Sequence, residues 1–316
     1  MRSLRRTPEK KTAGHLFQDL LETVSFILNH PLNAALENKA GTFWRYFSWQ
    51  IHSRLRPGPS LIDFVGDTKL LVKRGVAQRR ICYMPLNEFE EMSFVVHALR
   101  EGDHFVDIGA NIGAYTVLAS AVAGATALGC EPIPTNYALF RENVRLNHAE
   151  NRVEALNEGA GETEGTLKFT TSFGPKDHAV FPGETVERGK LLDLPIRTLD
   201  SLVGDRNPTL VKIDVEGFET EVINGGQKAL KNDSLRAIII ELKGHGARYG
   251  YDESVLMDRI AALGFQAFCY SPLDRRIFSA NPACTRSDNR IYLRDRDWAK
   301  ERVADHPGFR FRNRTL

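Results

Sequence analysis

The stretch at residues 105–113 constrains the fold of this chain more than any other. It reads F-V-D-I-G-A-N-I-G, an apolar strand that runs into a tight glycine turn and then into a helix. Gly109 and Gly113 lack the Cβ that would block a ligand, and the following helix presents backbone N–H groups and a positive dipole end. The segment therefore predicts a binding site for a nucleotide-like ligand, with an anionic group at the start of the helix.

The spacing of the glycines argues against a dinucleotide. The G-x-G-x-x-G pattern of dinucleotide folds would place its second glycine where Asn111 stands, and here Asp107 precedes the turn. An NAD(P)-dependent oxidoreductase of the Rossmann type is therefore the less favoured alternative. A catalytically inactive ligand-binding module is a second alternative, because a fold does not prove chemistry.

Acids also follow two later apolar stretches. The first, A-L-G-C-E-P at 127–132, predicts a strand with Glu131 at its tip, where a carboxylate can accept both hydroxyls of a ribose. The second, V-K-I-D-V-E-G-F-E at 211–219, predicts a strand that ends in Asp214 and Glu216. Because ligands of open α/β sheets bind in the crevice at the carboxyl ends of the strands, these acids and the glycine turn are expected to share one site.

These motifs in combination resemble the FkbM family of S-adenosylmethionine-dependent methyltransferases. The resemblance rests on D-I-G-A-N-I-G, E-P and K-I-D-V-E-G-F-E, with I-R-T-L-D at 196–200 before the last of them, and it covers residues 89–293. It implies the α/β class I methyltransferase (Rossmann-like) fold, a doubly wound, mostly parallel seven-stranded sheet with an antiparallel edge hairpin. It also implies S-adenosyl-L-methionine as cofactor and, most often, O-methylation of a sugar, glycan or natural-product hydroxyl.

The resemblance assigns the glycine turn to the methionine end of the cofactor and Glu131 to its ribose. Asn157 and Glu158, at the tip of the third strand, are expected to contact adenine by analogy of position with other class I methyltransferases. The alternative for these two is a simple turn, because N-E-G is good turn chemistry. The predicted cofactor-binding residues are Asp107, Gly109, Ala110, Asn111, Gly113, Glu131, Asn157 and Glu158.

The candidate catalytic residues follow from the chemistry of methyl transfer to a hydroxyl group. Methyl transfer from a sulfonium is an in-line displacement that the protein mainly orients, and a hydroxyl needs a carboxylate or a histidine to take its proton. The candidates are Asp214, Glu216, Glu241 and His245. Asp214 could instead cap the next helix. No essential metal is expected, because hard cations need several converging oxygens and Glu219 is expected to lie on a helix that turns it away.

Strand and helix patterns alternate after residue 104, which predicts a parallel sheet covered by helices on both faces. The predicted strands lie at 104–108, 126–130, 153–157, 209–215 and 236–241, and the helices at 113–123, 134–148 and 217–231. The segments 265–270 and 290–293 are expected to be the last strands. The glycine- and proline-rich stretch at 165–195 is interpreted as an insertion that takes part in acceptor recognition, with His178 as a candidate contact.

Composition adds limits on partners and location. Of 316 residues, 42% are hydrophobic and 26% are charged, as in an ordinary globular enzyme, and a net charge of +2 gives no reason to expect nucleic acid. The small-molecule or glycan acceptor is instead what the resemblance implies. The four cysteines, Cys82, Cys130, Cys269 and Cys284, form no C-x-x-C pairs, so neither a zinc site nor a disulfide framework is expected. With neither a spanning segment nor a secretory signal recognised, the expected location is cytoplasmic.

Three regions are predicted along the chain. Residues 1–59 form a basic arm and a helical extension that ends at R-P-G-P, residues 60–300 form the methyltransferase domain, and residues 301–316 form a C-terminal tail. The helical extension is expected to cover the catalytic domain or to form a homodimer interface. The alternative is an acceptor lid or a peripheral membrane contact, because aromatic and basic residues alternate on its second helix.

Overall fold

A computed structural model describes residues 13–36, 39–55, 58–73, 79–171, 177–180, 184, 186, 191–280, 288–312 and 314–316. The predicted basic arm falls largely on residues 1–12, outside this set, and so does Cys284. Within the described residues, no helix is both long enough and apolar enough to cross a bilayer.

The first elements of the described chain are helices, and strands mixed with helices follow from residue 60 onward. The α-helices are α1 (Ala13–Asn29), α2 (Pro31–Leu36), α3 (Lys39–Leu55), α4 (Phe89–Ala98), α5 (Ala114–Val117), α6 (Pro134–Leu146), α7 (Leu199–Val203), α8 (Glu219–Asn224), α9 (Glu253–Ala262) and α10 (Arg296–Asp305). The strands are β1 (Ser60–Asp63), β2 (Lys69–Val72), β3 (His104–Ile108), β4 (Thr126–Cys130), β5 (Val153–Leu156), β6 (Gly159–Gly161), β7 (Gly165–Thr170), β8 (Leu191–Thr198), β9 (Leu210–Ile213), β10 (Ala237–Glu241), β11 (Gln266–Ser271), β12 (Arg276–Ser279), β13 (Asn289–Leu293), β14 (Arg310–Phe311) and β15 (Arg314–Thr315). Short 3-10 helices lie at Arg79–Cys82, Ala229–Lys231 and His245–Tyr249.

The central sheet has the order β12-β11-β13-β10-β9-β3-β4-β5. Strands β10, β9, β3, β4 and β5 run parallel, whereas β13, β11 and β12 pair antiparallel at one edge. The predicted doubly wound, mostly parallel sheet and its antiparallel edge are confirmed. Seven strands were expected and eight are present, because R-I-F-S at 276–279 pairs with β11 as an additional edge strand.

The sheet is buried on both faces because its central strands carry apolar side chains on both sides. On β10, Ile239 packs into one hydrophobic core, whereas Ile238 and Ile240 pack into the other. Alternate side chains of a strand point to opposite faces, so an uninterrupted apolar run supplies both cores. Helix α4 covers the first face, and α8 and α9 cover the second.

Two predicted helices are not continuous α-helices. The helix predicted at 113–123 is α5 followed by a π-helical turn at Leu118–Val122. The helix predicted at 217–231 is α8 and then the 3-10 turn at Ala229–Lys231. It is interrupted because the backbone at Gly225 packs directly on β6, where a Cβ would lie 2.1 Å from the carbonyl oxygen of Gly161. The spacing of apolar residues along the helix could not predict this contact, because Gly161 is distant in the sequence.

The stretch at 165–195 contributes β7 and most of β8, which join β6 in a separate three-stranded sheet. The N-terminal helices pack on the segment before α4, where Arg45 Nε donates to the Tyr83 carbonyl oxygen at 3.0 Å. His30 Nε2 lies 3.2 Å from the Asn87 carbonyl oxygen. The predicted boundaries at 59/60 and 300/301 remain predictions, and α10 crosses the second.

The expectation that no disulfide forms is wrong for Cys269, which is disulfide-bonded. Cys82 and Cys130 are free and buried. Sequence spacing could not show this, because pairing depends on the distance between two cysteines in the folded chain.

Candidate active site

The glycine turn after β3 requires glycine at Gly109 and Gly113. Gly109 has φ +83°, and a Cβ there would lie 1.9 Å from the carbonyl oxygen of Asp214. Gly113 has φ +81°, and a Cβ there would lie 2.3 Å from the ring of Phe140. Both positive φ values are strained for any residue with a side chain. Gly109 therefore lets the turn pack directly against the loop after β9. These two segments were expected to meet in one crevice at the carboxyl ends of the strands.

Glu131 joins the end of β4 to this turn. Its Oε2 accepts a hydrogen bond from the backbone N–H of Asn111 at 2.9 Å. Its Oε1 accepts from the N–H of Ile133 at 3.0 Å and from Nδ2 of Asn136 at 3.2 Å. Burial raises the pKa of Glu131 to about 8, and these three donors oppose the rise. The carboxyl group is thus held rigidly at the predicted ribose position.

Asp107 is buried beneath the turn. Its Oδ2 accepts a hydrogen bond from Thr116 Oγ1 at 2.7 Å, whereas its Oδ1 has no hydrogen-bond partner among the described residues. Burial raises the pKa of Asp107, although the charge of Lys212 and the Thr116 hydroxyl act against it. An unsatisfied buried oxygen is costly, so this atom is a natural acceptor for a ligand or a bound water.

A cleft of about 750 Å³, including space open to solvent, lies at the carboxyl ends of the strands. Its walls include Gly109, Asn111, Cys130, Glu131, Pro132, Ile133, Asn136, Gly159, Ala160, Phe169, Asp177, His178, Asp214, Val215, Glu216 and Phe218. Five of the predicted site residues therefore line one cleft: Gly109, Asn111, Glu131, Asp214 and Glu216. Among the described residues, Asp107, Ala110, Gly113, Asn157, Glu158, Glu241 and His245 are not part of its wall.

Asn157 and Glu158 shape the loops beside the cleft. Nδ2 of Asn157 donates to the carbonyl oxygens of Glu131 and Pro132, both at 2.8 Å. Glu158 Oε2 lies 3.6 Å from Nη1 of Arg197. Asn157 therefore fixes the backbone that carries Glu131, a role that turn chemistry alone would not reveal.

Asp214 forms a buried ion pair with a lysine of β9. Nζ of Lys212 lies 2.9 Å from Oδ2 of Asp214, and both side chains are largely shielded from solvent. Burial favours the neutral form of Asp214, but the charge and hydrogen bond of Lys212 dominate and hold its pKa below the ordinary value. Burial would likewise lower the pKa of Lys212, but Asp214, Asp107 and Glu88 raise it. Both partners are therefore charged.

Glu241 contrasts with Asp214. It ends β10, is buried, and contacts the ammonium group of Lys243. Burial and the charges of Asp214 and Glu216 raise the pKa of Glu241 to about 9. The surroundings therefore disfavour ionisation of Glu241 and favour ionisation of its neighbour Asp214.

The Glu216–His245 pair joins the loops after β9 and β10. Oε2 of Glu216 lies 3.2 Å from Nδ1 of His245. Glu216 has φ +55°, which is uncommon for a residue with a side chain. The adjacent Gly217 permits close packing, because a Cβ there would lie 2.7 Å from the carbonyl oxygen of His245. The strained backbone thus holds the carboxylate in the cleft wall and beside the imidazole.

Glu219 supports this turn from the start of α8. Its Oε1 accepts from the N–H groups of Val215 and Gly217, each at 3.1 Å. Burial raises the pKa of Glu219 to about 7. Its carboxylate folds back onto the turn to hold the preceding loop.

Glu216, Glu241 and His245 could hold a metal ion, since one ligand atom from each lies within 4.8 Å of the others. The ammonium group of Lys243 already contacts Glu241 and supplies positive charge there. The expectation of no essential metal remains a prediction.

Four polar residues of this region were missed by the sequence analysis: Glu88, Tyr115, Lys212 and Lys243. The Tyr115 hydroxyl donates to Oε2 of Glu88 at 2.7 Å. The ammonium of Lys212 lies 4.8 Å from the centre of the Tyr115 ring. Burial and the charge of Asp214 raise the pKa of Glu88. Lys212 could have been noticed as a lone cation within an apolar strand, because a buried lysine needs a partner.

The stretch at 165–195 supplies one wall of the cleft through Phe169, Asp177 and His178. The Tyr249 hydroxyl donates to the carbonyl oxygen of Ala179 at 2.6 Å and so ties this stretch to the loop after β10. Acceptor recognition by the stretch stays a prediction, and parts of it, such as residues 172–176, lie outside the described residues.

Several known proteins are similar to this chain. The hexuronic acid methyltransferase AglP of Haloferax volcanii is 28% identical over 158 residues, which are 49% of this chain and 62% of that protein. Methyltransferase sdnD of Sordaria araneosa is 27% identical over 169 residues, covering 43% of this chain and 65% of that one. The chain therefore spans less than two thirds of the length of these relatives. Among solved structures, the methyltransferase FkbM of Methylobacillus flagellatus KT matches with 19% identity and a TM-score of 0.42, covering 70% of this chain and 56% of that chain.

The family model for the methyltransferase FkbM domain matches residues 107–267. This match begins at Asp107 and covers half of the chain. It includes the glycine turn, Glu131, the acids after β9 and Glu241 at the end of β10. The chain belongs to the FkbM methyltransferase family.

Proposed function

We propose that this protein is an S-adenosylmethionine-dependent methyltransferase that methylates a hydroxyl oxygen of a sugar, glycan or natural-product acceptor. One observation carries the proposal: a single cleft joins the glycine turn and Glu131 to Asp214 and Glu216. The residues proposed to bind the cofactor and a group that can accept a proton thus share one space. The sugar-type acceptor is favoured by the relative named as a hexuronic acid methyltransferase.

The residues present fit the cofactor. Gly109 and Gly159 bring bare backbone to the cleft, Ile133, Phe169 and Phe218 give it apolar walls, and Asp107 keeps an unsatisfied buried oxygen under the turn. S-adenosylmethionine would supply an electrophilic methyl group. We assign its methionine end to the turn formed by Asp107, Gly109, Ala110, Asn111 and Gly113, its ribose to Glu131, and its adenine to the loop of Asn157 and Glu158.

Glu216 is the proposed general base. Only two of the four catalytic candidates line the cleft, Asp214 and Glu216, and Asp214 is a weak base because Lys212 stabilises its anion. Glu216 would therefore take the proton of the acceptor hydroxyl, with His245 orienting its carboxylate. Asp214 would orient the hydroxyl. Glu241, with its raised pKa and its contact with Lys243, would limit the negative charge of the cluster.

Calorimetric titration with S-adenosylhomocysteine tests the cofactor assignment. Wild-type protein should bind with a dissociation constant of about micromolar, and Glu131→Ala should weaken binding by at least about tenfold, because the ribose hydroxyls lose a charged acceptor. NAD serves as the competing ligand. Thermal unfolding of both proteins separates lost contacts from lost folding. Tighter binding of NAD than of S-adenosylhomocysteine would overturn the assignment.

Binding of S-adenosylhomocysteine should strengthen with pH. The free protein holds a proton on Glu131 below its pKa of about 8, and ribose hydroxyls donate best to the ionised carboxylate. The association constant should therefore rise from about pH 6.5, by up to about tenfold per unit, and level off above about pH 8. Titrations in buffers of different ionisation enthalpy should show proton release, and Glu131→Gln should abolish it. Affinity that falls with rising pH would contradict the role of Glu131.

Methyl transfer should not require a divalent ion. Lys243 places an ammonium group against Glu241, so the Glu216–Glu241–His245 group already has a cation beside it. Activity after EDTA treatment and gel filtration should match that of untreated enzyme, and added Mg²⁺, Mn²⁺ or Zn²⁺ should not raise it. A loss of activity that one of these ions restores would show that the group binds a catalytic metal.

A further inference from the structure

Helix α3 exposes an apolar stripe to solvent. Its inner face buries Thr42, Trp49 and Ser53. The stripe consists of Trp44, Phe47, Ile51 and Leu55, whose exposed fractions are 74, 51, 60 and 77%. At about 100° per residue, these four positions fall on one face, opposite the buried one. An amphipathic helix normally buries its apolar face, so a contiguous exposed row of large apolar side chains marks an interaction surface.

The charges around the stripe are basic. His52 and Arg54 are exposed on its two sides, and no acidic residue occurs between Lys39 and Leu55. The described contacts of Arg54 are with Gln50, not with an acid. The charged side chains of the helix that carries the stripe are thus all basic, which favours an anionic partner.

We propose that α3 docks this protein on an anionic lipid bilayer, with the stripe inserted at the level of the headgroups. A helix that carries aromatic and aliphatic residues on one face and basic residues beside them binds such an interface through buried apolar area and attraction to anionic lipids. A second copy of the chain is less suitable, because pairing two α3 stripes would bring basic residues together without acids between them. The proposal does not depend on the identity of the acceptor.

The docking helix is firmly joined to the catalytic domain. Arg45, on the flank of α3 between the stripe and the buried face, donates to the Tyr83 carbonyl oxygen, and the ring of Tyr46 packs edge-on against Tyr83 at 5.3 Å. The chain then continues to Glu88, which contacts Tyr115 beside Lys212. A bilayer bound at α3 would therefore hold the whole catalytic domain at the membrane surface.

Sedimentation of the full chain with phospholipid vesicles tests the proposal. The protein should pellet with vesicles that contain phosphatidylserine, and pellet far less with phosphatidylcholine alone or at about 1 M salt, where the Debye length falls to about 3 Å. The Trp44 fluorescence should shift to the blue on binding, and a Trp44→Phe variant should lose that shift. Equal binding to neutral and anionic vesicles would overturn the role of charge.

A matched pair of variants identifies the surface. Ile51→Ser/Leu55→Ser should weaken vesicle binding by at least about tenfold, because two buried aliphatic side chains are lost from the interface. The control Leu61→Ser/Leu273→Ser removes two side chains of similar exposure, 53 and 52%, outside α3, and should leave binding unchanged. All four positions are exposed, so both variants should unfold at the wild-type temperature. Unchanged vesicle binding of the α3 variant would overturn the proposal, as would a dimer in sedimentation equilibrium that this variant dissociates.

Discussion

Replacement of Lys212 by methionine should lower the free energy of unfolding by about 3–5 kcal/mol, the cost typical of removing one partner of a buried ion pair. The ammonium of Lys212 stabilises ionised Asp214 and also acts on the buried carboxyl groups of Asp107 and Glu88. Methionine fills similar space without charge and leaves these acids without the buried cation that lies among them, so that only the less buried Lys243 still acts on Asp214 and Glu88. Chemical denaturation monitored by circular dichroism measures the difference.

The pair of Lys168 and Asp193 provides the control. Its atoms lie 2.8 Å apart, nearly the distance in the buried pair, but both side chains are more than half exposed. Lys168→Met should therefore cost less than about 1 kcal/mol. The deficit of Lys212→Met should also shrink at acidic pH, because the uncompensated acids then take up protons. A deficit equal to that of the control, or one that grows as the pH falls, would show that the buried ion pair is not what stabilises this region.

Replacement of Glu216 by glutamine should lower kcat by about 10²–10⁴-fold, the range typical of a lost general base. Glutamine retains the size of the side chain but cannot take the proton of the acceptor hydroxyl. Affinity for S-adenosylhomocysteine and the unfolding temperature should stay near wild type, because the glycine turn and the Lys212–Asp214 pair are untouched. Single-turnover methyl transfer to a sugar acceptor, with calorimetric titration alongside, measures both quantities.

Glu164→Gln is the matched control, since Glu164 is exposed beside β7 and outside the cleft wall. It should retain full activity. His245→Gln should lower kcat less than Glu216→Gln does, because it disturbs the orientation of the carboxylate and leaves the base in place. Near-normal kcat in Glu216→Gln would remove this residue from proton transfer and leave Asp214 as the candidate that lines the cleft.

Local sequence determined the parallel core and the place of the cleft at the carboxyl ends of its strands. Apolar runs such as A-I-I-I at 237–240 are buried on both faces wherever they lie in a parallel sheet, so the strands could be identified without tertiary contacts. The turn at Gly109 and the acid at Glu131 could be found because strand ends, glycines and acids are themselves local features. Their meeting in one crevice then follows from the parallel order of the strands.

Contacts between distant segments decided the rest, because they depend on which surfaces pack together and not on the neighbours of a residue in the chain. The edge strand β12, the break of the helix at Gly225 and the disulfide at Cys269 are of this kind. So is the meeting of Glu88, before α4, with Tyr115 in α5 and Lys212 in β9. Each of these residues is ordinary in its local sequence. Glu88, Tyr115 and Lys212 interact strongly beside the cleft only because they are buried against one another. Burial removes the water that would otherwise screen the charges of Glu88 and Lys212.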